Sequence, residues 1–369
     1  MRLIRIRLLT MIRCLPPVPL ILGPFNHDLS DLTPEAFNSC TPTQGLTEVV
    51  SVDANDGWAS INLISSAAIN NLEVSIDDHK LYVYAVDGRY IIPQVVDAVL
   101  VPNGNRYTAF VKLDQPPADY TIRVATLGLN QVSTGYATLS YAGSTGPATP
   151  NPVINYAGQN VTADFVPFLD TAIVPFEAID VSDVAIAQTF LLAIENFGAS
   201  YIWTLSGLEP YSQNLEQDEP LLFNPDSAVG QNTNITISTV NGTWVDLVIQ
   251  VINPVSPPHP IHKHGNKAFI IGRGTGAWNW TTVAEAQAVI PQSFNFVNPP
   301  LRDGFTTPAA NGSPTWLAVR YQVVNPGAFI MHCHIQTHFS GGMAIAILDG
   351  VDKFPVVPEE YLTADFPGY

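Results

Sequence analysis

The sequence is poor in charge, and poorest in charge of positive sign. Of 369 residues only 13% are charged, 15 of them basic and 32 acidic, for a formal net charge of −17. A surface that negative repels nucleic acid and anionic membranes, so neither is an expected partner. Apolar runs of about eighteen residues are missing as well, which excludes a membrane-spanning helix. The three cysteines, Cys14, Cys40 and Cys333, are too few for a disulfide framework. Cys14 and Cys40 can pair with each other or with a partner outside the chain.

What is present is apolar and turn-forming. Hydrophobic residues make up 46% of the chain, with 25 glycines and 31 prolines. That balance suits a folded protein of strands and turns, long enough for two or three domains. Residues 1–45 are poorly patterned and read as an irregular segment. Their start, "MRLIRIRLLTMIRCLPPVPLILG", resembles a signal peptide broken by Arg13 and by Pro16, Pro17 and Pro19. It reads equally well as an aberrant N-terminus or a truncation scar. Asn160, Asn234, Asn241, Asn279 and Asn311 each open an Asn-x-Ser/Thr acceptor sequence, the last weakened by Pro314. They point to a glycosylated protein of the secretory route.

Residues 46–145 read as one β domain. "WASINLI", "LYVYAV", "RYTAFVKL" and "YTIRVATL" are rich in β-branched and aromatic residues, and "VDGR", "PNGN" and "QPPAD" separate them as turns. Residues 146–158 shift to Gly, Pro, Ser and Thr and read as a linker. The β pattern returns over 159–358 in "NITISTV", "TWVDLVIQVI", "AFIIG", "WLAVRYQVV" and "MAIAIL", with a short helix expected in "TTVAEAQAV". Residues 359–369 form a tail. The expectation is an all-β chain of two antiparallel domains in series, each a sandwich or barrel. Asp77 and Asp78, in "SIDDHK", read as turn-capping residues rather than a substrate-facing pair.

Scarce residues are concentrated in one place. The twelve residues His332–Met343 hold three of the eight histidines, one of the three cysteines and one of the four methionines. In an extended segment side chains alternate, so His332 and His334 face one way and Cys333 the other. Cys333, His338 and Met343 then supply a thiolate, an imidazole and a thioether, three of the four ligands of a blue-copper site. Gly341 and Gly342 allow the loop to turn back toward the cysteine. A second cluster, "PPHPIHKHG", holds His259, His262 and His264 and offers the missing imidazole. His262 and His264 alternate as His332 and His334 do and can meet them at a second metal site. A Cys–His nucleophilic pair leaves the other histidines unused, and a zinc site does not want the methionine. His27 and His79 stand alone and read as ordinary core or surface residues.

These two clusters resemble the motifs of the multicopper oxidases, in particular the laccase-like enzymes of filamentous fungi. "HPIHKHG" is similar to the family's H-P-x-H-x-H-G, and "HCHIQTHFSGGM" to its H-C-H-x3-H-x4-(Met/Leu/Phe). The segment "YAVDGRYIIPQVVDAVLVPNGNRYTAFVKL" resembles the family's middle cupredoxin domain. The resemblance covers residues 45–358 and implies two tandem cupredoxin-like Greek-key β-barrels without the family's first domain. It also implies copper as cofactor. A type 1 ion would be held by His259, Cys333 and His338 with Met343 axial, His262 would bind a type 2 ion, and His264, His332 and His334 a type 3 pair. Cys333 and His338 would carry the redox step, with small phenols as electron donors and dioxygen as acceptor. Met343 in the axial place implies a lower potential than Leu or Phe would give. Two of the family's four histidine motifs are missing from this chain, so the type 2 and type 3 sites are only half encoded and oxygen reduction by the chain alone would be impaired. A ferroxidase, a blue-copper electron carrier and a non-catalytic relative are the competing readings. No acidic residue adjoins His259 or His338, which disfavours iron.

Overall fold

The computed structural model describes residues 47–127, 132–211, 221–223 and 234–362, together with the backbone of three short strands at Arg2–Arg5, Met11–Cys14 and Cys40–Thr41. Those strands pair at the edges of the first unit's sheets, where composition suggested an irregular segment. The rest of residues 1–46, the proposed leader among them, and the side chains of Cys14 and Cys40 lie outside the described residues.

Paired strands build the first unit, Met1–Glu177. In the strand Leu81–Val86, Leu81, Val83 and Ala85 are buried while Tyr82 and Tyr84 face outward, the period-2 pattern of a half-buried sheet. One sheet runs in the order Arg2–Arg5, Trp58–Ile64, Arg106–Lys112, Leu81–Val86, Arg89–Val96. The other is centred on Val132–Tyr141, Asp119–Leu127, Asn71–Ile76 and Ala98–Val101. Their inner faces enclose a core that includes Ile61, Val83, Val111, Ile122 and Leu139. "SIDDHK" is structural. Asp77 is buried in a bidentate pair with Arg123 at 2.7 and 2.8 Å, and Asp78 takes a left-handed turn conformation with φ 59°.

The linker expected at 146–158 belongs to this unit. The Ala148 N–H donates to the Asp119 carbonyl at 2.9 Å, and Ile154 is fully buried. The chain then continues along the same unit, with Phe168 and Ile173 entering its core and Pro167 and Pro175 bridging to Ala98 and Ile91. The boundary therefore falls between Glu177 and Ala178. Gly and Pro content signals turns but cannot report where a segment's backbone groups find partners.

The second unit, Ala178–Tyr369, is also a two-sheet β structure. Its first sheet orders Ala199–Thr204, Ile186–Phe197, Trp244–Val251, Thr315–Gln322, Ala268–Thr275 and Leu301–Arg302. Its second orders Thr236–Ser238, Ala344–Asp349, Gly327–Cys333, Pro260–Lys263 and Gly304–Thr306. Most ladders are antiparallel, as the pattern suggested. Among the described residues four are parallel: Arg2–Arg5 with Trp58–Ile64, Val49–Val52 with Val132–Tyr141, Ile186–Phe197 with Trp244–Val251, and Thr236–Ser238 with Ala344–Asp349. Strands that cross between sheets in a barrel can close it this way and leave few open edges.

The helix expected in "TTVAEAQAV" is Val283–Val289. The Thr282 hydroxyl accepts from the Glu285 N–H at 3.2 Å, and the Glu285 carboxylate accepts from the Thr281 N–H at 2.9 Å, reciprocal capping that fixes where the helix starts. Among the described residues no helix is long and apolar enough to cross a membrane.

Candidate metal centre

Register brings the two motifs together. Pro260–Lys263 runs antiparallel beside Gly327–Cys333, with His262 opposite His332 and Ile261 opposite Cys333. Alternation then puts His262 and His332 on one face of the sheet and Cys333 on the other. Cys333 is fully buried in the apolar core of the second unit, beside Met343, Ile261 and Ile345.

On the cysteine face three donors converge. Cys333 Sγ lies 3.9 Å from His259 Nδ1 and 3.8 Å from His338 Nδ1, and the two nitrogens are 3.2 Å apart. A first-row metal at about 2.3 Å from a thiolate and about 2.0 Å from each imidazole, with angles of roughly 120°, would space sulfur from nitrogen by about 3.7 Å and the nitrogens by about 3.5 Å. The observed triangle fits one such ion, and a thiolate with two imidazoles is the donor set of a blue-copper site. The Met343 side chain is fully buried, and its carbonyl accepts the Cys333 N–H at 3.0 Å.

The local sequence explains the triangle. His259 follows Pro257 and Pro258, and its remote nitrogen Nε2 lies 2.9 Å from the Ser256 hydroxyl, which leaves Nδ1 aimed at Cys333. His338 sits on the short helix Gln336–Ser340. Two glycines then lay the loop against the strand Ala199–Thr204. A Cβ on Gly341 would strike the Tyr201 carbonyl, and one on Gly342, at φ +103°, would come within 2.6 Å of Pro210 Cβ. The Gly341 and Gly342 carbonyls accept from the Trp203 and Tyr211 N–H groups, each at 2.9 Å. The Trp203 ring covers His338 at 4.5 Å between centroids and meets His259 edge-on at 5.5 Å. Sequence reasoning missed Trp203 and Ser256. Neither stands in a motif, though Trp203 lies on a strand in "ASYIWT".

Burial sets the protonation states. It lowers His259 well below its ordinary range, an effect the neighbouring His338 deepens, and it brings His338 down to about 4. It pushes the Cys333 thiol up to about 12. Without metal the centre is therefore neutral, with imidazoles ready to bind and a proton still on sulfur.

On the opposite face four imidazoles gather. His262 and His264 have ring centroids 4.8 Å apart, His264 and His332 5.4 Å, and His332 and His334 5.6 Å. His264 Nε2 and His332 Nε2 approach to 3.3 Å. His262 Nδ1–H donates to the Asp303 carbonyl at 2.8 Å, and His332 Nδ1–H donates to the Cys333 carbonyl at 2.9 Å. A carbonyl can only accept, so Nδ1 carries the proton in both rings and Nε2 is the nitrogen left for a metal. Burial brings His332 down to about 4 and lowers His264, which neighbouring His262 lowers further. The His332 bond also joins the two groups through the Cys333 backbone. His79 takes no part: its ring nitrogens are bonded to the Asp77 carbonyl at 2.8 Å and the Tyr141 hydroxyl at 2.7 Å in the first unit. His27 lies outside the described residues.

Comparison with known proteins gives the family and the fold. Residues 32–144 and 206–353 match the multicopper oxidase family. Over 96% of its length the chain is 42% identical to the multicopper oxidase elcG of Phaeosphaeria nodorum, and over 95% it is 40% identical to the laccase abr2 of Aspergillus fumigatus. It spans 58% and 60% of those relatives. Among solved structures, the laccase of Botrytis aclada superposes with a TM-score of 0.68 at 23% identity, covering 91% of this chain and 58% of that one. Fet3p, a multicopper oxidase that functions in iron import, gives 0.65 at 17% identity, over 88% of this chain and 62% of its own. At those identities the superpositions show the fold alone, two cupredoxin-like units. Family matches over both units and two histidine-rich motifs meeting across one strand pair lead to one assignment: the chain belongs to the multicopper oxidase family.

Proposed function

We propose that this chain carries the substrate-oxidising part of a laccase-like enzyme, which removes one electron at a time from electron-rich phenols and passes four to dioxygen, giving water. The observation that carries the reading is the triangle of Cys333 Sγ, His259 Nδ1 and His338 Nδ1, with sides of 3.9, 3.8 and 3.2 Å. Copper, the family's cofactor, would be held there by Cys333, His259 and His338, with the buried Met343 as a further candidate ligand, and would supply one-electron redox chemistry. The chain's own residues do the rest. Ser256 and Trp203 fix the two imidazoles, and the apolar core around Cys333 keeps water from the sulfur. The His338 ring, half-buried rather than sealed, is the edge a phenol can approach.

His262, His264, His332 and His334 provide the chain's share of an oxygen-reducing cluster. Their four imidazoles are half of what the family's cluster uses, so the chain alone is expected to bind copper at the Cys333 triangle without turning over oxygen. As an isolated chain it would then behave as an electron carrier. We infer the secretory route as well, because Asn160, Asn234, Asn279 and Asn311 are all exposed, as glycan acceptors must be.

Expression with copper tests the proposal. The expected result is an intense absorption at roughly 600 nm, the mark of a copper–thiolate bond, with no oxygen uptake in the presence of a phenol. A colourless chain that binds no copper would overturn the reading. Oxygen uptake by the chain alone would overturn the incomplete-cluster part of it.

A further inference from the structure

We propose that Lys263, the residue between His262 and His264, is a positioning residue: its buried ion pair with Asp349 locks the two flanking imidazoles onto the metal-binding face of the sheet. The proposal takes its ligand, copper, from the functional reading above. The positioning itself rests on geometry alone.

Lys263 points away from its histidine neighbours, into a core otherwise built from aliphatic and aromatic side chains. The side chains of Lys263 and Asp349 are both 0% exposed, with Nζ 2.7 Å from Oδ2. The second carboxylate oxygen accepts from the Tyr321 hydroxyl at 2.7 Å and the Thr239 hydroxyl at 2.9 Å. The Lys263 ammonium also donates to the His264 carbonyl at 3.2 Å and lies 4.4 Å from the centroid of the Tyr321 ring. Both Asp349 carboxylate oxygens, the Tyr321 and Thr239 hydroxyls and the Lys263 nitrogen are all partnered within the group.

The placement is what gives the pair a role. In the sheet order Ala344–Asp349, Gly327–Cys333, Pro260–Lys263, Lys263 and Asp349 reach each other across the strand that carries His332 and Cys333. Tyr321 joins from the opposite sheet. A buried ion pair is rarely the most stable filling for such a space, since well-packed apolar side chains of similar volume do as well or better. Its distinctive property is intolerance of misplacement. Sliding the Pro260–Lys263 strand by one residue would turn His262 and His264 into the core and the Lys263 charge out of it, leaving Asp349 buried without its cation. An apolar residue at 263 would oppose that slip far less.

The test compares the full chain with the variant Lys263→Met/Asp349→Leu/Tyr321→Phe, which replaces the network by apolar side chains. Two readouts are needed. The first is the imidazole 15N–1H spectrum of the metal-free chain, tractable with eight histidines. The second is Cu(II) titration followed by electron paramagnetic resonance and by the thiolate absorption. The expected result is that the His262 and His264 ring signals shift or split while those of His259 and His338 stay in place. Cu(II) affinity at the four-histidine group should then fall by about tenfold or more, as when supports of metal-ligating histidines are removed, with the thiolate band unchanged. Unchanged His262 and His264 signals would overturn the proposal, as would equal weakening at both copper sites. If the parent chain takes no copper at the four histidines, the copper reading fails there, and the ring signals still decide the positioning claim. Should the triple variant not fold, Asp349→Asn, which keeps the size and removes the charge, is read in the same two ways.

Discussion

At the scale of single residues, the centre depends on holding imidazoles by their far nitrogen. Ser256 does this for His259 at 2.9 Å. Ser256→Ala removes that hold without touching a ligand, and copper affinity at the Cys333 triangle is expected to fall by roughly tenfold to a hundredfold, with little change in the far-ultraviolet circular dichroism. Titration with a competing chelator measures it. Protonation gives a second prediction. Burial pushes the Cys333 thiol up to about 12, while His338 lies at about 4. At neutral pH the sulfur holds a proton and the imidazole does not. Copper uptake should therefore release about one proton per ion, and affinity should rise about tenfold per pH unit between roughly pH 6 and 8. Release of no proton would mean that the sulfur does not bind.

At the scale of elements, the loop carrying His338 depends on two positions with no room for a side chain. A Cβ at Gly341 strikes the Tyr201 carbonyl, which is backbone and cannot swing aside. Gly341→Ala is expected to destabilise the second unit by about 1–3 kcal/mol, the usual cost of overpacking, and to shift the thiolate absorption because His338 moves with the loop. Thermal unfolding and the visible spectrum check the two parts separately. The sequence made several elements readable for a physical reason. "WASINLI" and "LYVYAV" are strands over the residues that their β-branched and aromatic content marks, Trp58–Ile64 and Leu81–Val86. Ile186–Phe197 was not legible. It pairs parallel to Trp244–Val251 and leaves Leu191 and Phe197 exposed, so its hydrophobicity does not alternate cleanly. The short helix Gln336–Ser340 was hidden by a metal-motif spacing that says nothing about backbone form.

At the scale of the whole molecule, the division at Glu177 and Ala178 was invisible because 146–177 is held by backbone bridges and by Phe168 and Ile173 rather than by a strand pattern. The site was far more legible. Ligand spacing is set by covalent chain length and strand alternation, so the two motifs alone indicated which imidazoles face together. Trp203 and Ser256 come from other segments, and only folding brings them in.

The buried histidines also tie the site to global stability. His332 and His338 lie at about 4 in the folded chain against an ordinary value of 6.5. On acidification the unfolded chain takes up these protons first. The stability the neutral rings allow is thus present above about pH 6.5 and is lost as pH falls toward about 4. The melting temperature of the metal-free chain should drop across that window, and His338→Gln should flatten the slope.

Copper-edge X-ray absorption on the copper-loaded chain tests the central claim most directly. The account predicts one short copper–sulfur distance together with two imidazole nitrogens, and loss of the sulfur contribution in Cys333→Ser. Copper surrounded only by nitrogen and oxygen, with the same spectrum in the serine variant, would contradict it.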